Sequence, residues 1–103
     1  MNARTRCELV PLDAMEEAAA CLRTIAHPAR LRMIEILLDG EQTVGALAEA
    51  CELAPHVASE HLRVLRDRGL VAAERRGRQV FCTVAEEGLA GIIDCVRKRF
   101  GKK

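Results

Sequence analysis

The stretch from Leu53 to Val84 constrains this chain more than any other, because two periodicities meet in it. Its first half repeats apolar residues at helical spacing: Ala58, Leu62 and Leu65 fall at i, i+4 and i+7, with Val57 and Val64 beside them. Pro55 suits a first helical position, where its missing N–H would have no partner anyway. His56, Ser59, Glu60, Arg63 and Asp67 fall on the opposite side, with Arg66 near the edge. Gly69 stands where a helix ends on a left-handed residue. The second half alternates: Val80, Cys82 and Val84 interleave with Phe81 and Thr83, and Arg76-Gly77-Arg78 marks the bend between two short strands. A polar-faced helix followed at once by a basic-tipped hairpin is the outline of a winged helix-turn-helix, which points to a duplex groove.

The rest of the chain supplies helices to support that unit. Asp13, with Glu16 three residues on, predicts a capping box at the start of a first helix. That helix stripes Met15, Ala18, Ala19, Leu22, Ile25 and Ala26 on one face. His27-Pro28 marks a break and a fresh start, and the second helix, about Pro28 to Leu38, is apolar on more than one side. It is expected to be the most buried element. Thr43 can cap a third helix carrying Val44, Leu47, Ala48 and Cys51 at i, i+3, i+4 and i+7. Glu52 to Ala54 then form a gap short enough for a helix-turn-helix. A last helix, from about Glu86 to Phe100, stripes Leu89, Ile92, Ile93, Val96 and Phe100. The expected fold is mainly α (α+β), with about five helices and a two-stranded wing. Residues 1–11 read as a flexible N-terminal arm, 12–100 as one domain and 101–103 as a tail.

Charge is distributed unevenly. From Glu8 to Glu52 there are three basic and nine acidic residues, whereas Leu53 to Gln79 holds six arginines against three acidic residues. A phosphate backbone would be drawn to the helix and hairpin and repelled by the remainder; an ordinary solvated face is the other reading of the same charges. No apolar run approaches the roughly 18 residues of a membrane span. No apolar segment follows Arg4 and Arg6 as in a signal peptide, so a cytoplasmic protein is expected with no membrane partner. No Gly-rich phosphate cradle, H-E-x-x-H or C-x-x-C is present, which argues against an enzyme. The first and last helices carry more apolar surface than a chain of 103 residues readily covers. A homodimer would bury it and present two reading helices to a two-fold site.

The segments A-H-P-A-R-L-R-M-I-E-I-L, T-V-G-A-L-A, S-E-H-L-R-V-L-R-D-R-G-L-V and R-R-G-R-Q-V-F-C-T-V together resemble the ArsR/SmtB family of small bacterial winged-helix repressors, over about Met15 to Phe100. The resemblance implies a homodimer built through the first and last helices, with the fourth helix in the major groove of a double-stranded DNA operator. It also implies a repressor released by an effector: a metal ion, arsenite, or an oxidised or persulfidated thiol. Carried over residue by residue, the groove-facing set is His56, Ser59, Glu60 and Arg63. Arg63 would fork onto guanine, and Ser59 or His56 would donate to phosphate. Arg76 and Arg78 at the hairpin tip become salt-sensitive phosphate or minor-groove contacts. His61 matches the family's usual histidine and is expected to pack rather than to read bases. Family serines are replaced here by Ala54 and His56, so some phosphate contacts are lost or exchanged. A winged helix used only as a protein–protein interaction module is the alternative.

The family's effector motifs are mostly missing. Thr43 and Gly45 stand where its best-known metal site has two cysteines. No histidine accompanies Glu86-Glu87-Gly88, and none follows His61. Glu35 occupies the second-helix position of the dithiol switch in the sulfur-sensing branch. Five cysteines remain: Cys7, Cys21, Cys51, Cys82 and Cys95. Cys7 has Arg4 and Arg6 nearby to lower its pKa, and Cys51 adjoins the helix-turn-helix turn. These two, and less so Cys95, are the candidate effector ligands, either for a soft ion such as arsenite or cadmium or as redox thiols. Cysteine as a small buried hydrophobe is the competing reading. No cofactor is required. His56 and Glu60, at i and i+4, have zinc-ligand spacing but are too few for a site.

Overall fold

The computed structural model describes residues 8–101, so Cys7 and the start of the arm lie outside the described residues. The order is α1 (Leu12–Ile25), α2 (Pro28–Leu37), β1 (Gln42–Thr43), α3 (Val44–Ala50), α4 (Pro55–Asp67), β2 (Val71–Arg76), β3 (Gln79–Val84) and α5 (Leu89–Phe100). Three of the helix starts follow directly from local chemistry. Pro28 and Pro55 occupy the first turns of α2 and α4, and the Thr43 hydroxyl accepts from the Ala46 N–H at 3.0 Å to cap α3. The expected capping box of α1 does not form. The helix begins one residue after Pro11, and Asp13 instead accepts from its neighbour's N–H, that of Ala14, at 2.8 Å. The last helix begins at Leu89 rather than near Glu86, whose carboxylate accepts from the Gly88 N–H at 3.0 Å in the turn before it.

Both helices of the helix-turn-helix end in the same way. After α4, Gly69 at φ +75° places the Leu70 N–H on the Leu65 carbonyl (3.1 Å) and its own N–H on Arg66 (2.9 Å), a Schellman closure. After α3 the same pair of bonds runs from Leu53 to Ala48 (2.9 Å) and from Glu52 to Glu49 (3.1 Å), and here the left-handed residue is Glu52, at φ 57°. The turn that sets α4 against α3 is therefore held by a non-glycine residue in a conformation disfavoured for side chains with a Cβ.

The wing is larger than a hairpin. β2 and β3 pair antiparallel from Val71↔Val84 to Arg76↔Gln79, and Gly77 at φ +65° opens the two-residue bend. Gln42 and Thr43 pair with Cys82 and Phe81 on the other edge of β3, making a three-stranded sheet of order β1-β3-β2 where two strands were expected. The short link before α3 thus ties the base of the wing to the helix-turn-helix.

The core draws on every helix. Ile25, Met33, Ile34, Leu37, Leu47, Ala48, Ala58, Leu62, Leu65, Leu89 and Ile93 pack with Leu70, Val71 and Cys82. α2 supplies three of these residues and is central, as its sequence predicts. By contrast, the stripe on α1 is largely uncovered: Leu12 is 81% exposed, Met15 49% and Leu22 50%, and Phe100 at the end of α5 is 75% exposed.

A polar clamp sets the roll of α4 about its axis. Arg30 of α2 donates from Nε to His61 Nδ1 at 3.1 Å and from a terminal nitrogen to the Thr24 carbonyl of α1 at 3.0 Å. The His27 ring lies 4.5 Å from that of His61, and its Nδ1 accepts from the Ala29 N–H to cap α2. His61 accepts Arg30 only while Nδ1 is unprotonated. Burial holds its imidazole below the ordinary value, and the charges of His27 and Arg30 push the same way against an opposing effect of Glu60.

Two outcomes follow from this frame. Glu52→Gly removes the cost of a left-handed Cβ and should raise stability by about 1 kcal/mol, measured by urea unfolding at fixed protein concentration; an unchanged or lower midpoint would show that Glu52 is not strained. The folded chain takes up the His61 proton less readily than the unfolded one. The contribution of His61 to stability is therefore present above about pH 6.5 and is lost as pH falls through that value towards the lower folded pKa. Thermal melts between about pH 7.5 and 5.5 should show a shallower decline for His61→Gln, which keeps an acceptor for Arg30 but does not titrate.

Candidate nucleic-acid interface

The outward side of α4 is built by subtraction. Ala58, Leu62 and Leu65 are drawn into the core, and the His61 clamp fixes the roll, so His56, Ser59, Glu60 and Arg63 are left exposed together. All four line the rim of one hollow of about 600 Å³ between α4 and the hairpin. The residues singled out for groove contact are thus brought to one surface.

Arg63 is not idle on that surface. Its guanidinium donates to both Glu60 oxygens at 2.9 and 3.1 Å and lies 3.7 Å from Asp67. Hydrogen bonding to Glu60, then the Glu60 and Asp67 charges, raise its pKa above the usual arginine range. Both partners in the Glu60 pair are more than half exposed, at 56% and 61%, so water screens it and a stronger acceptor can displace it. The Glu60 side chain preorients the fork while leaving it available.

The hairpin arginines differ from one another. Arg76 donates to Glu41 at 2.6 and 3.1 Å and to Glu74 at 3.0 Å, and its guanidinium stacks 4.5 Å over the Phe81 ring. Hydrogen bonds to Glu41 and Glu74 raise its pKa further above its usual range. Expected as a phosphate contact, it pairs with two carboxylates, and these pairs are partly exposed and screened as that of Arg63 is, so a phosphate would compete with both. Arg75 donates to the Gly77 carbonyl at 3.2 Å. Arg78, exposed in the bend itself, forms no ion pair among the described residues. Glu41, absent from the candidate set, lies 35 positions away in sequence from the arginine it holds.

The cysteines scatter. Cys82 is buried in the sheet, Cys21 and Cys51 are half-buried, and Cys95 is exposed on α5. Burial pushes the Cys51 thiol above its ordinary value, with Arg32 opposing, and burial does the same at Cys82 against Arg66. Cys51 closes α3 and lines a second hollow with His27, Pro28, Arg32, Ile36 and Glu52. Among the described residues no three His, Cys, Asp or Glu side chains lie together as a metal site. The His56 and Glu60 pair is no exception, because Glu60 is taken up by Arg63. Glu35, standing where the resemblance expects a thiol, bridges Arg32 at 2.8 Å and Arg97 of α5 at 3.4 Å. Among the described residues no helix is long and apolar enough to cross a membrane.

Residues 27–73 match the arsR family of bacterial regulatory proteins. The chain is 38% identical over 91 residues to a biofilm growth-associated repressor of Agrobacterium fabrum, an overlap of 84% of this chain and 78% of that protein. Its fold superposes on the transcriptional repressor BigR of Xylella fastidiosa with a TM-score of 0.79 and 30% identity, covering 91% of this chain and all of that one. A homodimeric winged helix-turn-helix DNA-binding domain from Mycobacterium bovis, described as a possible ArsR-family regulator, gives a TM-score of 0.74 at 28% identity over 85% of this chain and 82% of the other. With its sheet, its helix-turn-helix and these relatives in agreement, the chain belongs to the arsR family and is a winged helix-turn-helix transcriptional regulator, not an enzyme.

Proposed function

We propose that this chain acts as a homodimeric repressor that docks α4 of each subunit in the major groove of an operator and lets go when a soft metal or metalloid ion reaches its cysteines. The observation that carries the reading is the shared exposure of His56, Ser59, Glu60 and Arg63 on one side of a helix whose other side is locked into the core. Arg63 would trade its carboxylates for guanine O6 and N7, His56 and Ser59 would donate to phosphate oxygens, and Arg78 would meet the backbone beside the site. Arg76 also links the wing to Glu41, the residue before β1.

The uncovered apolar residues of α1 and α5 favour a twin subunit as the cover. Leu12, Met15, Leu22 and Phe100 present the kind of surface that a helix pair from a second copy would bury. The homodimeric relative supports the same assembly.

For release we favour a soft ion shared by two thiols. Burial raises the Cys51 pKa, which disfavours oxidation and ligation alike because both use the thiolate, but arsenite or cadmium can still displace the proton where a second thiolate shares the ion. Cys7 is the proposed second ligand. Cys51 shares its hollow with His27, which touches His61 on α4, so an ion there would bear on the helix that reads DNA.

A salt titration of duplex binding tests the central claim. Affinity should fall steeply with salt, Arg78→Ala should reduce the slope by about 1, and Arg63→Ala should cost about 1–3 kcal/mol while leaving the sedimentation behaviour unchanged. Weak, salt-insensitive binding would instead favour the protein–protein module. For the effector, Cys51→Ser should keep duplex affinity but lose release by arsenite or cadmium; normal release in both Cys51→Ser and Cys7→Ser would make these cysteines packing residues only.

A further inference from the structure

We propose that the hollow between α4 and the hairpin is a binding site for a small amphipathic anion, an apolar body ending in a carboxylate, and that its occupant competes with the duplex. The competition rests on the DNA-binding reading above, while the site itself does not. The hollow measures about 600 Å³, within the roughly 300–1,000 Å³ typical of small-molecule sites. Its floor is apolar: Val44, Leu62, Val71, Ala73, Val80 and Cys82 come from α3, α4 and both hairpin strands. Its polar groups sit only at the rim and come from α4.

The charge at that rim selects the ligand. Glu60 and Arg63 cancel one another across 2.9 Å, and Asp67 adds to the hold on Arg63. Arg66, the other rim arginine, makes no ion pair among the described residues, and its charge reaches the Cys82 thiol on the floor. One uncommitted cation over an apolar floor fits a carboxylate on a hydrocarbon body better than a neutral or cationic ligand. An anionic head on Arg66 would occupy a cation that a phosphate would use. It would also set negative charge beside His56, Ser59 and Arg63, where the duplex backbone must approach.

Decanoate is a suitable probe, titrated below its micellar concentration into the full-length, 15N-labelled chain without DNA. Amide shifts should saturate at one ligand per chain and centre on Val44, Leu62, Ala73, Val80 and Cys82. Arg66→Gln should weaken binding about tenfold, as expected for loss of a charge-assisted hydrogen bond. Decanol should bind more weakly than decanoate by a similar factor, and acetate should not bind. Ala73→Leu, which fills the floor without touching the rim, should abolish binding, with circular dichroism confirming that both variants are folded. Shifts confined to Leu12, Leu22 and Phe100, equal affinity for decanol, or unchanged affinity in both variants would each overturn the site. In a second arm, decanoate should raise the apparent Kd of wild-type chain for a fluorescent duplex but not that of Ala73→Leu. A duplex that binds unaffected by decanoate removes the competition. A wild-type chain that binds no duplex defeats the repressor reading, whereas saturable shifts in the hollow would still establish the site.

Discussion

The structure depends on how α4 is held. One face is anchored by Ala58, Leu62 and Leu65 in a close-packed core, where rotation by one position would expose apolar surface and bury charge. Packing alone leaves some freedom of roll, and the Arg30–His61 hydrogen bond removes it by tying the helix to α2 and, through Thr24, to α1. The exposed face is therefore a consequence of the buried one. Its polar residues need no partners inside the chain, and those that have partners, Arg63 with Glu60, hold them loosely in water.

The wing is organised by a different balance. Its sheet is short, and the edge strand β1 has only two residues, so backbone pairing contributes little on that side. Arg76 adds contacts there by joining two carboxylates and an aromatic face at once, with Glu41 reaching in from the residue before β1. The hairpin is thus braced near its bend, and Arg78 projects from a supported base. Cys82, central in the sheet and buried, is packing rather than chemistry in this arrangement.

Much of this was legible in the residues. The period of Ala58, Leu62 and Leu65, the prolines at 28 and 55, Gly69, and the Thr43 cap each act within a few positions along the chain, and each forms as local chemistry dictates. The features that escaped depend on distant partners or carry no pattern. Two residues are too few to display alternation, so β1 could not be seen before β3 was in place beside it. Glu52 adopts a glycine-like conformation with nothing in its chemistry to announce it. The capping box failed because Pro11 starts the helix earlier, leaving Asp13 past the cap position. The groove-facing set on α4 could be listed from periodicity, but its ion pairs, the commitment of Arg76 to Glu41 and the hollow beneath the rim require the third dimension. The cysteines were the least legible, because burial, not spacing, decides whether a thiol ionises.

Thr43 belongs to two elements at once. Its backbone pairs with Phe81 in the sheet while its hydroxyl closes the first turn of α3. The joint has no slack: a hairpin dragged sideways by its load pulls on the very residue that seats the helix preceding α4. The two parts of the molecule that would grip a duplex are thereby yoked, and loosening either one slackens the other. Thr43 is therefore the residue through which a shift of the hairpin would first reach the start of α3.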